Sequence, residues 1–278
     1  MQRKFVWSAM VLAALVILIG CASPTPVPPT AAPTAPPAAS ASGTLTVYAA
    51  SSLTAAFQEL GQQFAAANPN VQVDFNFAGS QDLRIQIEQG AKADVFAAAD
   101  LKNMDTLNSE KLVSGTPQVF ARNRLVMIVP KPNPAGLTGL KDLVRPGIKL
   151  VVADKTVPVG NYTLQMLDKL SADATYGASF KDTVLKNVVS QENNVKAVLS
   201  KVSLGEADAG IVYTTDAQSA AAQVTNIEVP DNFNVIALYP IATVQNAPNA
   251  SLAQTWIAFV LSDRGQAVLA KYGFVPPS

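Results

Sequence analysis

An alternation limits this chain more than any other feature: from Leu45 almost to the C-terminus, short runs of β-formers are each followed by a stretch with helical spacing. LTVYAA is the first run. Leu53, Phe57, Leu60 and Phe64 then recur at helical intervals with Gln58, Glu59, Gln62 and Gln63 on the other side, as an amphipathic helix requires. Asn68-Pro69 stops that helix, and VQVDFNF alternates Val71, Val73, Phe75 and Phe77 with polar residues as a second strand. Strands that alternate with helices imply an α/β fold whose mainly parallel sheets are covered on both faces.

Serines occupy both opening strand-to-helix junctions. Ser51 and Ser52 follow the first strand, and the AGSQDLRIQIEQG stretch repeats the design with Ser80, Asp82 in the first turn and Gly90 to end the helix. A helix start offers free backbone N–H groups and the positive end of the helix dipole, and a serine adds a hydroxyl, so such a junction suits an anion. The plainer reading makes Ser52 and Ser80 simple N-caps. Two successive units carrying serine where an α/β sheet places its ligands favour a site.

Further along, DVFAAAD reads as a short buried strand, and Asp100 as the cap of a helix that turns Leu101, Met104 and Leu107 inward. Arg124 to Pro130 is a strand, Leu140 to Val144 a short helix, and IKLVVAD a strand followed by a helix through Leu164, Leu167 and Leu170. NVVSQ is a strand. Val195, Val198, Leu199 and Val202 mark one helix face, closed by Gly205. GIVYT and VIALYPIATV are strands, and two helical segments, from Ser251 and from Asp263, finish the chain. The segments Arg124–Pro130 and Val235–Val244 bracket a central block. They are read as crossovers, giving one lobe from 44–124 plus 240–278 and another from 125–239; the alternative is one continuous sheet.

Composition removes several chemistries. With 49% hydrophobic residues in 278 the chain can bury a proper core. Histidine is absent, so imidazole bases and His-ligated metals are excluded, and the single Cys21 excludes disulfides and thiolate clusters. No basic cluster suggests nucleic acid. Removing Arg3 and Lys4 with the leader leaves 18 basic residues against 20 acidic, a net charge of about −2.

Residues 1–20 carry Arg3 and Lys4 and then an apolar run that ends in LIG before Cys21. This resembles a bacterial lipoprotein signal with Cys21 as the lipid acceptor; the run is short for the alternative, an uncleaved membrane anchor. Residues 21–43 are rich in Pro, Ala, Thr and Ser and read as a semi-rigid tether. The rest of the chain is therefore expected outside the cytoplasm, lipid-anchored to the cell membrane, as a monomer.

Taken in order, AASSLTAAFQEL, FAGSQDLRIQIEQGAKADVFAAAD, VPVGNY, ENNVKAVL, GEADAGIVYTTDA and DRGQAVLAKYGF resemble the molybdate-binding component of bacterial molybdate ABC transporters, over essentially the whole chain from Thr44. The resemblance implies a type II periplasmic-binding-protein fold that holds molybdate or tungstate between two lobes through neutral donors and passes it to a membrane permease. Motif by motif it implies the hydroxyls of Ser52, Ser80 and Tyr213 and the backbone N–H groups of Val159 and Val195 as ligands, with no resident cofactor and no metal bound directly by protein. Val159 stands where alanine is commoner, Gly79 where serine is frequent, and Asn194 where the residue is often acidic.

A dianion held without carboxylate contacts needs donors on all its oxygens, and these residue types supply them. Singly, Val195 reads as core, Tyr213 as filler and Val159 as a turn residue. The rival class is a serine hydrolase, since Ser52 stands where a nucleophile elbow places its serine. AASSL lacks the flanking glycines and no histidine exists to activate it, so the chain is expected not to be an enzyme. Within the binding class the alternatives are sulfate or another tetrahedral oxyanion.

Overall fold

A computed structural model describes residues 42–277; the leader, Cys21 and nearly all of the tether lie outside the described residues. The described chain forms two five-stranded sheets rather than one continuous sheet. The first part runs β1 (Gly43–Ala50), a 3-10 turn (Ser51–Leu53), α1 (Thr54–Ala67), β2 (Val71–Ala78), α2 (Ser80–Glu88), β3 (Val95–Ala97), α3 (Leu101–Ser109) and β4 (Val113–Asn123). The middle part runs β5 (Leu125–Pro130), a 3-10 turn (Leu140–Val144), β6 (Leu150–Ala153), α4 (Pro158–Ala172), α5 (Phe180–Lys186), β7 (Val188–Glu192), α6 (Val195–Ser203), β8 (Ala209–Tyr213), α7 (Thr214–Ser219) and β9 (Val224–Glu228). The chain ends with β10 (Ala237–Val244), α8 (Ala250–Leu261) and α9 (Asp263–Lys271).

The first sheet has the order β2-β1-β3-β10-β4 and the second β7-β6-β8-β5-β9. The α/β class holds, but each sheet is mixed. β1 runs parallel to β2 and β3, and β6 to β7 and β8, whereas β10 runs antiparallel to β3 and β4, and β5 to β8 and β9. The antiparallel pairings involve β4 and β9, which the sequence patterns did not mark, and the two strands next to the crossings. The chain leaves the first sheet at Arg124 and returns through residues 229–236. Asn234 ties the two crossings together: its amide accepts from Leu125 N–H at 3.0 Å and donates to Leu125 O at 2.9 Å.

The first sheet is covered on both faces because its strands are apolar on both. Along β3, Val95 and Ala97 join the larger core beneath α1 and α8, and Phe96 between them joins Leu83, Ile87, Met104 and Leu107 of α2 and α3. Leu101 departs from its expected inward position, since at 38% exposure it faces solvent at the very start of α3. At the centre of the larger cluster the Trp256 ring meets Phe57, Phe64 and Phe75 edge-on, with centroids 5.7, 5.3 and 5.9 Å away. Aromatic edges on a fully buried indole add attraction to the area they remove from water.

In the second sheet, α4 starts hard against β6. A Cβ on Gly160 would lie 2.0 Å from Asp154 O, so only glycine lets the first turn of α4 rest on that carbonyl. This explains the glycine of VPVGNY.

Trp256→Ala removes the shared partner of three rings, and the expected loss of stability is about 3–5 kcal/mol. Urea unfolding of a variant lacking the N-terminal leader checks this; a loss near zero would mean that the aromatic cluster repacks without cost.

Candidate functional site

The parallel strands of both sheets end around one small pocket. Ser52 lies in the 3-10 turn after β1, Ser80 is the first residue of α2 after β2, Val159 is in the first turn of α4 beyond β6, Val195 opens α6 beyond β7, and Tyr213 ends β8. All five line the same pocket, and none of its twelve lining residues is charged. The cavity is about 10 Å³, close to the least that admits one water. Any occupant larger than a water, a tetrahedral oxyanion included, therefore requires the walls to part from this arrangement.

Position alone frees the amides. Ser80 and Val195 are the first residues of their helices and Val159 the second, so their N–H groups have no intrahelical acceptor. Asn194 caps α6 by accepting Ala197 N–H at 3.0 Å, which leaves the Val195 amide clear. Pro158 at the start of α4 has no N–H to satisfy and a φ suited to that position. Val159 and Val195 are buried and belong to the apolar core, and both also line the pocket.

Ser52 and Ser80 are not the N-caps that the plainer reading made them. No side chain caps the 3-10 turn after β1, α1 or α2, and the residue at the cap position of α2 is Gly79. Each serine oxygen is instead held from behind. Ser80 Oγ accepts Ala99 N–H at 3.0 Å, and Ser52 Oγ lies 3.0 Å from Tyr239 Oη. Tyr213 Oη is buried and has no hydrogen-bond partner. Burial pushes the Tyr213 phenol well above its ordinary range, so it stays protonated as a donor.

Two carboxylates lie behind the wall without lining it. Asp100, pushed up chiefly by burial, turns its oxygens to Asn103 N–H and Nδ2. Asp216 is also raised by burial and pairs with Lys196 Nζ at 2.9 Å. Among the described residues no group of His, Cys, Asp and Glu is placed to hold a metal ion, and no helix is long and apolar enough to cross a membrane.

The two sides of the pocket touch. Gln81 Nε2 of α2 donates to Asn193 O, just before α6, at 2.8 Å. A Cβ on Gly79 would lie 2.4 Å from that same oxygen, although its φ of −61° suits any residue. Neither contact was foreseen, nor were Tyr239 and Asn123, because a polar residue inside an apolar strand carries no mark of its partner.

Comparison with known proteins places these features in a group. The family model described as bacterial extracellular solute-binding protein matches residues 45–275. The molybdate-binding protein ModA of Mycobacterium tuberculosis H37Rv is 38% identical over 270 residues, covering 97% of this chain and 96% of that protein. Among solved structures, the periplasmic molybdate-binding protein of Azotobacter vinelandii superposes with a TM-score of 0.72 at 22% identity, covering 84% of this chain and 100% of that one. The sulfate-binding protein SubI of M. tuberculosis gives a TM-score of 0.76 at 18% identity, covering 84% and 86%, which shows the shared fold.

In Gly79→Ala the added methyl group must displace Asn193 or the Gln81 side chain. Overpacking of this kind costs about 1–3 kcal/mol, and because it falls on the arrangement with the two sides in contact, oxyanion affinity should drop about 5- to 150-fold. Calorimetric titration checks this; wild-type affinity in the variant would show that the close approach is not needed for binding.

Proposed function

Because the chain belongs to the bacterial extracellular solute-binding protein family, we propose that it is the extracytoplasmic component of an ABC importer that captures molybdate, and tungstate at the same site, for delivery to a membrane permease. One observation carries the reading: the buried, unpartnered hydroxyl of Tyr213 belongs to an uncharged pocket that two serine hydroxyls and two further helix starts also line. A buried donor without a partner costs about 1–3 kcal/mol, and a compact oxyanion removes that cost. Ser52, Ser80 and Tyr213 would donate through hydroxyls, and Val159 and Val195 through backbone N–H groups. An uncharged shell of donors stabilises a dianion by short, oriented hydrogen bonds and offers no carboxylate to a ligand's proton.

The first sheet with its helices acts as one lobe and the second as the other; the boundary read from sequence, 44–124 plus 240–278 against 125–239, shifts because Ala237, Leu238 and Tyr239 pair with β4 and so belong to the first lobe. The anion bridges them and favours the closed arrangement through contacts that the open one lacks. The protein works as a monomer, with no resident cofactor.

A binding role also suits the surroundings of Ser52 better than a hydrolytic one. Lys196, which shares a neighbouring groove with Ser52, is engaged by Asp216 at 2.9 Å and Ser219 at 3.3 Å. The hydroxyl partner of Ser52 is a tyrosine.

A thermal-shift series of oxyanions tests the assignment. Molybdate and tungstate should stabilise the protein by roughly 2.7 kcal/mol at about 100 times Kd, with sulfate and phosphate far weaker; equal stabilisation by sulfate would reassign the ligand. Tyr213→Phe keeps the ring and deletes the donor. A hydrogen bond to a charged partner is worth about 1.5–3 kcal/mol, so molybdate affinity should fall about 10- to 150-fold. A folded variant that binds within about twofold of wild type would remove Tyr213 from the site.

Anchoring through lipid at Cys21 follows from the LIGC signal. Cys21→Ser should lose lipid labelling in a bacterial host and keep molybdate binding, because the Pro-rich tether separates the anchor from the folded part; acylation that persists in the variant would refute the anchor site.

A further inference from the structure

The two serine oxygens of the pocket are held from behind in different ways. Ser80 Oγ accepts from a backbone N–H, that of Ala99 at 3.0 Å, and a backbone N–H can only donate. The Ser80 proton is therefore left for the pocket. Ser52 has a hydroxyl partner, Tyr239 Oη at 3.0 Å, and in such a pair either oxygen is able to donate. If Ser52 donated to Tyr239 it would turn a lone pair to the pocket and repel an anion.

The direction is decided one bond further back. Asn123 Oδ1 accepts Arg124 N–H at 2.9 Å and the Thr214 hydroxyl at 2.9 Å. Since the backbone N–H is an obligate donor, the Asn123 amide has one orientation, and its Nδ2 faces Thr215 Oγ1 at 2.8 Å and Tyr239 Oη at 3.4 Å. With Asn123 Nδ2 directed at the Tyr239 oxygen and Ser52 its one other hydrogen-bond partner, the arrangement that leaves no donor unused sends the Tyr239 proton to Ser52. Burial holds this phenol well above its ordinary range, so the proton is present. Asn123, Thr215 and Tyr239 are all buried, so no bulk water competes for the chain of donors.

We propose that Tyr239, oriented by Asn123, is a specificity-determining positioning residue. It fixes Ser52 as a donor, so that this side of the pocket offers only protons and excludes oxyanions that carry a proton of their own. The inference rests on the oxyanion reading of the site. It separates sulfate from hydrogen phosphate, which are similar in size: at neutral pH sulfate carries no proton, whereas phosphate always keeps one that needs an acceptor.

Calorimetric titration of the chain without its leader, with molybdate, sulfate and inorganic phosphate at neutral pH, tests this. The wild type should bind sulfate more tightly than phosphate. Tyr239→Phe leaves Ser52 free to accept, so the sulfate-to-phosphate affinity ratio should narrow about tenfold and molybdate affinity should fall about five- to tenfold. In a Ser52→Ala background the same substitution should leave the ratio unmoved, because Tyr239 acts through Ser52. Asn123→Asp replaces the donor at Nδ2 with an acceptor that draws the Tyr239 proton away, and it should narrow the ratio in the same direction; it decides the matter alone if Tyr239→Phe does not fold. A wild type that binds phosphate as tightly as sulfate overturns the inference, as does an unchanged ratio in a folded variant. A wild type that binds none of the three anions overturns the site reading itself, which is a different result.

Discussion

Holding an anion without a cation is the constraint from which the rest of this structure follows. The field of a backbone N–H or a hydroxyl falls away much faster than that of an ammonium, so neutral donors work only at hydrogen-bond distance and only if they cannot turn away. Each must therefore be placed by something rigid. Here the strand ends place the helix starts, and the helix starts place the amides. A tetrahedral occupant needs donors from opposite directions, which one row of strand ends cannot give. Two sheets whose parallel strands end toward each other can, and the chain must then cross between them twice.

Those crossings are part of the site rather than remote from it. Tyr213 pairs in register with Leu125, the first residue of β5, and Thr214 N–H donates to Arg124 O at 2.9 Å. Asn234 on the returning segment holds both the N–H and the C=O of Leu125. A change in the angle between the sheets is thus felt directly at Tyr213 through hydrogen bonds one or two residues long. The buried Asn123, at the end of the first sheet, belongs to the same junction and reaches Ser52 through Tyr239.

Much of this is legible in the sequence where a local pattern has a local cause. The serine junctions after β1 and β2 are each marked by a strand, a serine and a helical period, whereas Val159, Val195 and Tyr213 were drawn from the family resemblance, since singly they read as turn residue, core and filler; all five lie around one pocket. The mixed sheets were not legible. β4 reads VSGTPQVFARN, whose exposed first half holds Ser114, Gly115, Thr116 and Pro117 and resembles a loop. Its order comes from pairing with β10, more than a hundred residues away. The serines left a choice open: at a helix start the preferred cap and a ligand donor are the same residue type, and only the tertiary partners, Ala99 and Tyr239, tell them apart. Leu101 shows the limit of periodicity at a helix's first residue, where the stripe has not yet turned toward the core.

The position of β10 has a consequence for the order in which the molecule assembles. It fills the gap between β3 and β4, yet it is made after the whole second sheet, whose strands are contiguous between Leu125 and Glu228. A chain emerging N-terminus first therefore presents β3 and β4 with open edges until its last quarter arrives, while the middle portion has everything it needs to close. Long-range pairing of this kind is slow, and unpaired edges invite the wrong neighbour. The polar, glycine- and proline-bearing start of β4 suits that interval, since an edge so poorly suited to pairing waits for β10 without recruiting another strand.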